Sequence, residues 1–192
     1  MKLCVLFMII GLGCLGSEVY GQPMQNLLTN GSFNGTKGED SHAEGWITGS
    51  TPDLNDANGP LHTSAGYSWI HQPQPSNNGG TWQNLYSNRE FLQQEVQLEP
   101  GKIYTLQFEY AAQGIEAPDF NFSSPAGIEV YINDSLVFKT PNDPTQYTWE
   151  NACFTFIAQT TVHSIRFCAS ADQYVGIDGA TLYKGNFCAR VP

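Results

Sequence analysis

Basic residues are scarce in this sequence. Lys and Arg together number 8, against 18 Asp and Glu, for a formal net charge of −10 across 192 residues. A chain this acidic repels phosphate backbones, so nucleic acid is a poor partner. Long apolar runs are also missing. The longest, Leu3–Leu15, is shorter than the roughly 20 residues that span a bilayer. No transmembrane segment is therefore expected. Apolar periodicity of helical type is absent over any useful length. The catalytic signatures HExxH and GxSxG are absent too, and so is CxxC. His42, His62, His71 and His163 stand far apart, with no pairing at metal-ligand spacing. These absences argue against an enzyme.

What is present first is an export signal. Lys2, the Leu3–Leu15 run and the small residues after it have the form of a secretory signal peptide. Val19-Tyr20-Gly21 places cleavage before Gln22, giving residues 1–21 as the signal and 22–192 as a single mature domain. The rival is a lipoprotein signal lipidated at Cys14, which Gly11-Leu12-Gly13 fits poorly. Either way the expected location is extracellular, at the cell surface or periplasmic. Three cysteines follow the signal: Cys153, Cys168 and Cys188. Export permits one disulfide among them, in three possible pairings. Cys153 and Cys168 flank an apparent hairpin centred on Gln159–Val162, which favours that pair.

The strong pattern is alternation with period two, the mark of half-buried strands. Leu92, Gln94, Val96 and Leu98 alternate with Gln93, Glu95 and Gln97. Tyr104, Leu106, Phe108 and Tyr110 alternate with Thr105, Gln107 and Glu109, after a Pro100-Gly101 turn. Ile128, Val130 and Ile132 follow, turning through Asn133-Asp134-Ser135. Further strands begin at Phe154, at Ile165 and at Ile177. Short strands at regular spacing predict an all-β fold, a two-sheet antiparallel jelly-roll β-sandwich. Two long loops, Gly49–Gly80 and Gly114–Ala126, are candidates for function.

Three segments in order carry a family resemblance: Asn26-Leu27-Leu28-Thr29-Asn30-Gly31-Ser32-Phe33, then Leu98-Glu99-Pro100-Gly101-Lys102-Ile103-Tyr104, then Gly176-Ile177-Asp178-Gly179-Ala180-Thr181-Leu182. Together they resemble the galactose-binding-domain-like jelly rolls, especially carbohydrate-binding modules of families 4 and 9. The resemblance implies a non-catalytic, lectin-like domain that binds a glycan or polysaccharide on a concave sheet face. It also implies a structural calcium ion. The matching positions are Asn34, where relatives carry an acid, and Asp178, which shares strand parity with Ala180 and Leu182 and so should point coreward. A turn such as Asn30–Lys37 would add carbonyl ligands.

Sugar recognition needs planar hydrogen-bonding groups beside an aromatic ring. Gln107, Glu109, Glu129 and Tyr131, on the polar side of their strands, supply both. Trp69 and Trp82 in the long loop could supply a second platform, whereas Trp46 and Trp149 suit the core. The alternative is a structural or adhesive surface protein that uses the same sandwich to contact a protein partner.

Overall fold

The computed structural model describes residues 24–58, 66, 68–69, 74–117, 119–122, 124–142 and 148–188. The signal segment and Cys14 lie outside them. In chain order the strands are β1 (Ile47–Gly49), β2 (Asp53–Asp56), β3 (Ser68–Trp69), β4 (Thr81–Tyr86), β5 (Phe91–Gln97), β6 (Ile103–Ala112) and β7 (Ile115–Ala117). There follow β8 (Phe120–Phe122), β9 (Ile128–Ile132), β10 (Ser135–Lys139), β11 (Glu150–Ile157), β12 (Val162–Ala169) and β13 (Tyr174–Lys184). Two five-stranded antiparallel sheets face each other. One runs β1-β5-β12-β9-β10 and the other β11-β6-β13-β4-β2, while β3, β7 and β8 form a small third sheet. The expected all-β jelly-roll sandwich is therefore present. No helix among the described residues is long and apolar enough to cross a membrane.

Alternation explains the core. Leu106, Phe108 and Tyr110 of β6 and Leu182 of β13 meet Leu92 and Val96 of β5, Val130 of β9, and Ile165 and Phe167 of β12. Burying a side chain of this size contributes about 1.5–3 kcal/mol. Trp46 closes one part of the core, 5.1 Å from the Phe33 ring and 5.8 Å from that of Phe167. Its indole Nε1 donates to the Asn30 carbonyl. Gln94 points inward and ties the N-terminal segment to the sheet, accepting from Thr29 N and donating to the Thr29 and Gly45 carbonyls. The expected turns form where expected. Gly101 adopts φ 77°, and Asn133 and Asp134, at φ 49° and 62°, make the two-residue turn between β9 and β10.

The apparent hairpin at Gln159–Val162 is not one. β11 pairs with β6, whereas β12 pairs with β5 and β9, so the connection crosses from one sheet to the other. Cys153 and Cys168 consequently sit on different sheets and do not bond. The disulfide joins Cys153 to Cys188, with Cα atoms 5.6 Å apart. Cys168 is a buried free thiol, its pKa pushed up to about 11 by that burial.

Two tryptophans lie elsewhere than expected. Trp82 lies within β4, only 1% exposed, on the face turned away from the core. Trp149 packs edge-on against it, 5.5 Å away, rather than in the core.

Candidate functional site

The residues expected to bind ligand divide between two surfaces. Gln107 and Glu109 stand on the outer face of the β6 sheet, whereas Glu129 and Tyr131 belong to β9 in the opposite sheet. Parity placed each one away from the core, but the sandwich has two outer faces. On the β9 side the groups pair with one another. The Tyr131 hydroxyl donates to Glu129 at 2.8 Å, Lys139 bridges Glu129 at 3.0 Å, and the Arg166 guanidinium lies 4.7 Å from the Tyr131 ring centre. Trp69 falls in β3 of the small third sheet, opposite Ile115 of β7.

The outer face of the β6 sheet reads in rows. Asn151, Glu109 and Asp178 stand side by side, then Cys153, Gln107 and Thr181, then Thr155, Thr105 and Tyr183. The first row depends on a bulge in β13 between Asp178 and Thr181, where Gly179 takes φ 60°. The extra residue reverses parity, so Ala180 and Leu182 enter the core while Asp178 faces outward beside Glu109. This corrects the coreward orientation expected for Asp178.

A turn at Ser76–Asn78 is bound down over the first row. The Ser76 hydroxyl donates to Asp178, Asn78 Nδ2 donates to it at 3.2 Å, and the Gly179 N–H donates at 2.7 Å. Glu109 receives the Asn77 N–H at 3.0 Å and the Asn77 side-chain amide. Burial lifts the Asp178 pKa to about 6 despite these donors, with the Glu109 charge adding to the rise.

The two positions implied for calcium, Asn34 and Asp178, have separate surroundings. Every hydrogen-bond partner of Asp178 is a donor, and none comes from the Asn30–Lys37 turn. Several of that turn's carbonyls accept hydrogen bonds: Gly31 from the Ala180 N–H, Phe33 from the Thr81 hydroxyl and Asn34 from the Asn30 amide. Asn34 itself lines a separate depression with Gly35, Asp56, Pro75 and Thr81. Among the described residues no three His, Cys, Asp or Glu side chains gather at one point.

Beyond the bound turn the face opens into a cleft of about 290 Å³. Gln107, Glu109, Asn151, Thr181 and Tyr183 line it from the strands, and Asn77 and Asn78 from the turn. Gln107, half-buried, has its amide Nε2 only 3.4 Å from Cys153 Sγ. On the far side the chain after β13 recrosses the sheet. Thr105 Oγ1 donates to the Gly185 carbonyl at 2.6 Å and accepts from Phe187 N at 3.0 Å. The Phe187 ring meets that of Tyr183 edge-on at 6.3 Å. Asn151, Thr181 and Tyr183 had no distinguishing signal in the sequence. Outward parity beside Gln107 could have suggested Thr181 only if the bulge had been known.

No protein-family model matches the sequence, and no curated protein matches it. Solved structures do. A cyclase from Fischerella sp. TAU aligns at 19% identity over 78% of this chain and 88% of its own, with a TM-score of 0.55. The same cyclase in complex with 4-(1H-indol-3-yl)butan-2-one aligns at 17% identity over 76% and 87%, with a TM-score of 0.53. A carbohydrate-binding module, TmCBM61 in complex with β-1,4-galactotriose, aligns at 16% identity over 84% and 99%, with a TM-score of 0.49. The chain is thus similar in fold to the two cyclase structures.

Proposed function

We propose that this chain is an exported, non-catalytic carbohydrate-binding domain that holds a glycan in the cleft over β11, β6 and β13. The observation that carries this reading is the make-up of the cleft. Two amides, Gln107 and Asn151, a hydroxyl, Thr181, and an aromatic ring, Tyr183, converge on one open hollow. Amides donate and accept in one plane and so suit neighbouring sugar hydroxyls, and a ring packs against the apolar face of a pyranose. Glu109 serves mainly to hold Asn77 in place at the edge of the cleft.

The non-catalytic part rests on the same bonds. Asp178 and Glu109 are the one adjacent carboxylate pair in the cleft region, and both are engaged in holding the turn. Export is supported by the disulfide, which persists in oxidising compartments. N-terminal sequencing of secreted protein should start near Gln22.

A glycan array on the mature chain tests the binding reading, followed by calorimetry of Gln107→Ala and Tyr183→Ala against the best ligand. A hydrogen bond or ring contact contributes about 0.5–1.5 kcal/mol, so each variant should bind roughly 3- to 10-fold more weakly. Equal losses in Tyr131→Ala, with none in these two, would move the site to the β9 face.

A further inference from the structure

Resting on that reading, we infer that the Ser76–Asn78 turn is a displaceable lid, whose side chains stand in for sugar hydroxyls on Glu109 and Asp178 and yield to a glycan long enough to extend past the open cleft. The way the turn is held points to this. Among the described residues, its hydrogen bonds to the sheet all end on the two carboxylates. Ser76 Oγ and Asn78 Nδ2 donate to Asp178, and Asn77 N and Nδ2 donate to Glu109. A hydroxyl and two amides offer a carboxylate pair the same kind of donors that neighbouring sugar hydroxyls do. Asp178 is fully buried and Glu109 nearly so, side by side across β13 and β6. No Lys or Arg among the described residues bridges either one. Burying two like charges together costs desolvation and repulsion, which neutral acceptors would avoid if the turn were only a structural clasp. The β13 bulge that turns Asp178 outward is a feature commonly found beside functional sites.

The turn also has a hinge. Gly79 and Gly80 join it to β4 at φ 68° and 77°, and a Cβ on Gly79 would meet nothing within 4 Å. Two successive glycines beside open space can change dihedrals without disturbing the strand. The Gly79 N–H bond to the Ser76 carbonyl keeps the turn's own shape, so it can move as one piece.

What lies past the lid completes the argument. On this face β6 presents Gln107, then Glu109, then Ala111, and Ala111 pairs with Gly176 of β13. Each step of two residues is about 6.6 Å, comparable to one sugar ring. The Trp149 ring lies over Gly176, where a Cβ would stand 3.0 Å from its Cη2 atom. Its indole Nε1 donates to the carbonyl of Gln74, just ahead of the turn. An open amide cleft, a carboxylate pair and a tryptophan ring therefore follow one another along the same strands, and the turn covers the middle of the three. With the turn lifted, the carboxylates would accept from sugar hydroxyls while the ring packs on a pyranose face.

The test uses the whole mature protein and two probe series, β-1,4-linked glucose and β-1,4-linked mannose oligosaccharides, each at two rings and at six. Where an array identifies another glycan, its short and long members replace them. Binding is read by calorimetry, and the lid by hydrogen exchange at the Asn77 amide, which Glu109 protects in the closed form. The six-ring member should bind at least about tenfold more tightly than the two-ring member, because it alone gains the carboxylates. It should also speed exchange at Asn77, whereas the two-ring member should leave that rate as it is. Ser76→Ala removes a hydrogen bond to a charged group and so weakens the closed form by roughly ten- to hundredfold. Apparent affinity scales with the open fraction, so this variant should tighten six-ring binding by at least about threefold and leave two-ring binding unchanged. If Ser76→Ala does not fold, exchange at Asn77 in the wild type decides.

Equal affinity for the two lengths, or an Asn77 amide that stays protected in the six-ring complex, would overturn the inference while leaving the glycan reading in place. Weaker binding of both lengths by Ser76→Ala would make the turn a fixed wall and overturn the lid. Binding of neither series and of nothing on an array would overturn both.

Discussion

Glu90 offers the sharpest test of the energetics. It is buried at the end of β4 and β5, where its carboxylate accepts the Tyr86 N–H at 2.6 Å and faces the Thr51 hydroxyl at 3.4 Å. Burial raises its pKa from 4.5 to about 7, opposed by the Tyr86 and Thr51 hydrogen bonds and assisted by the charges of Asp53 and Asp40. Arg89 and Asp172 line the same hollow. The folded protein therefore keeps the Glu90 proton up to about pH 7, while the unfolded chain releases it near 4.5. Across that window folding takes up a proton at Glu90, so the contribution of this group to stability is greatest below pH 4.5 and is lost as pH rises through 7. A shift of about 2.5 pKa units at about 1.4 kcal/mol each is on the order of 3 kcal/mol.

Glu90→Gln removes the titration and keeps an acceptor for the Tyr86 N–H, while its amide can donate to the Thr51 oxygen in place of accepting from it. The variant should match wild type at pH 4.5 and exceed it at pH 8 by up to about 3 kcal/mol. At about 2–4 °C per kcal/mol for a domain of this size, that is on the order of 10 °C in Tm. Thermal melts of both proteins from pH 4.5 to 8 make the measurement. Asp178, raised to about 6, acts in the same direction in both proteins and cancels in the difference. Two melting curves that run parallel in pH would refute the argument, because they would mean that Glu90 folds ionised.

The disulfide closes a loop with a sequence separation of 35. The chain-entropy model gives about 4 kcal/mol for that length, so reduction should lower the urea midpoint without changing the far-UV spectrum. Phe167→Ala should cost about 3–5 kcal/mol by equilibrium denaturation, since a fully buried ring between Trp46 and Phe108 leaves a cavity. Gly31→Ala should destabilise by at least about 1–3 kcal/mol, or prevent soluble expression, because its Cβ would lie 1.9 Å from the Ala180 carbonyl oxygen. Wild-type melting of that variant would show that the N-terminal segment can move off β13.

Much of the fold was legible because strand parity is local. Alternation over Tyr104–Tyr110 and Ile128–Ile132 assigned each side chain to the inner or outer face of its sheet, and the structure agrees, although Thr105 and Glu109 on the outer face are themselves covered. Pro100-Gly101 and Asn133-Asp134 fixed their turns for a reason equally local, the positive φ each requires. Gln107 and Glu109 could be chosen as cleft residues on the same basis. Sheet membership is not local. Nothing in a strand's own residues says which of two sheets it joins, and so Glu129 and Tyr131 were grouped with residues on the opposite face. The same limit misassigned the cysteines, since 157–162 is an ordinary short connection whether it closes a hairpin or crosses the sandwich. A single bulge residue, Gly179, inverted the orientation of Asp178. The sequence by itself therefore determined the alternation, the turns and the all-β class, because these depend on neighbours in the chain. Tertiary structure alone decided which outward residues share a face, which cysteines meet and where the cleft opens, because those depend on how strands distant in sequence are paired.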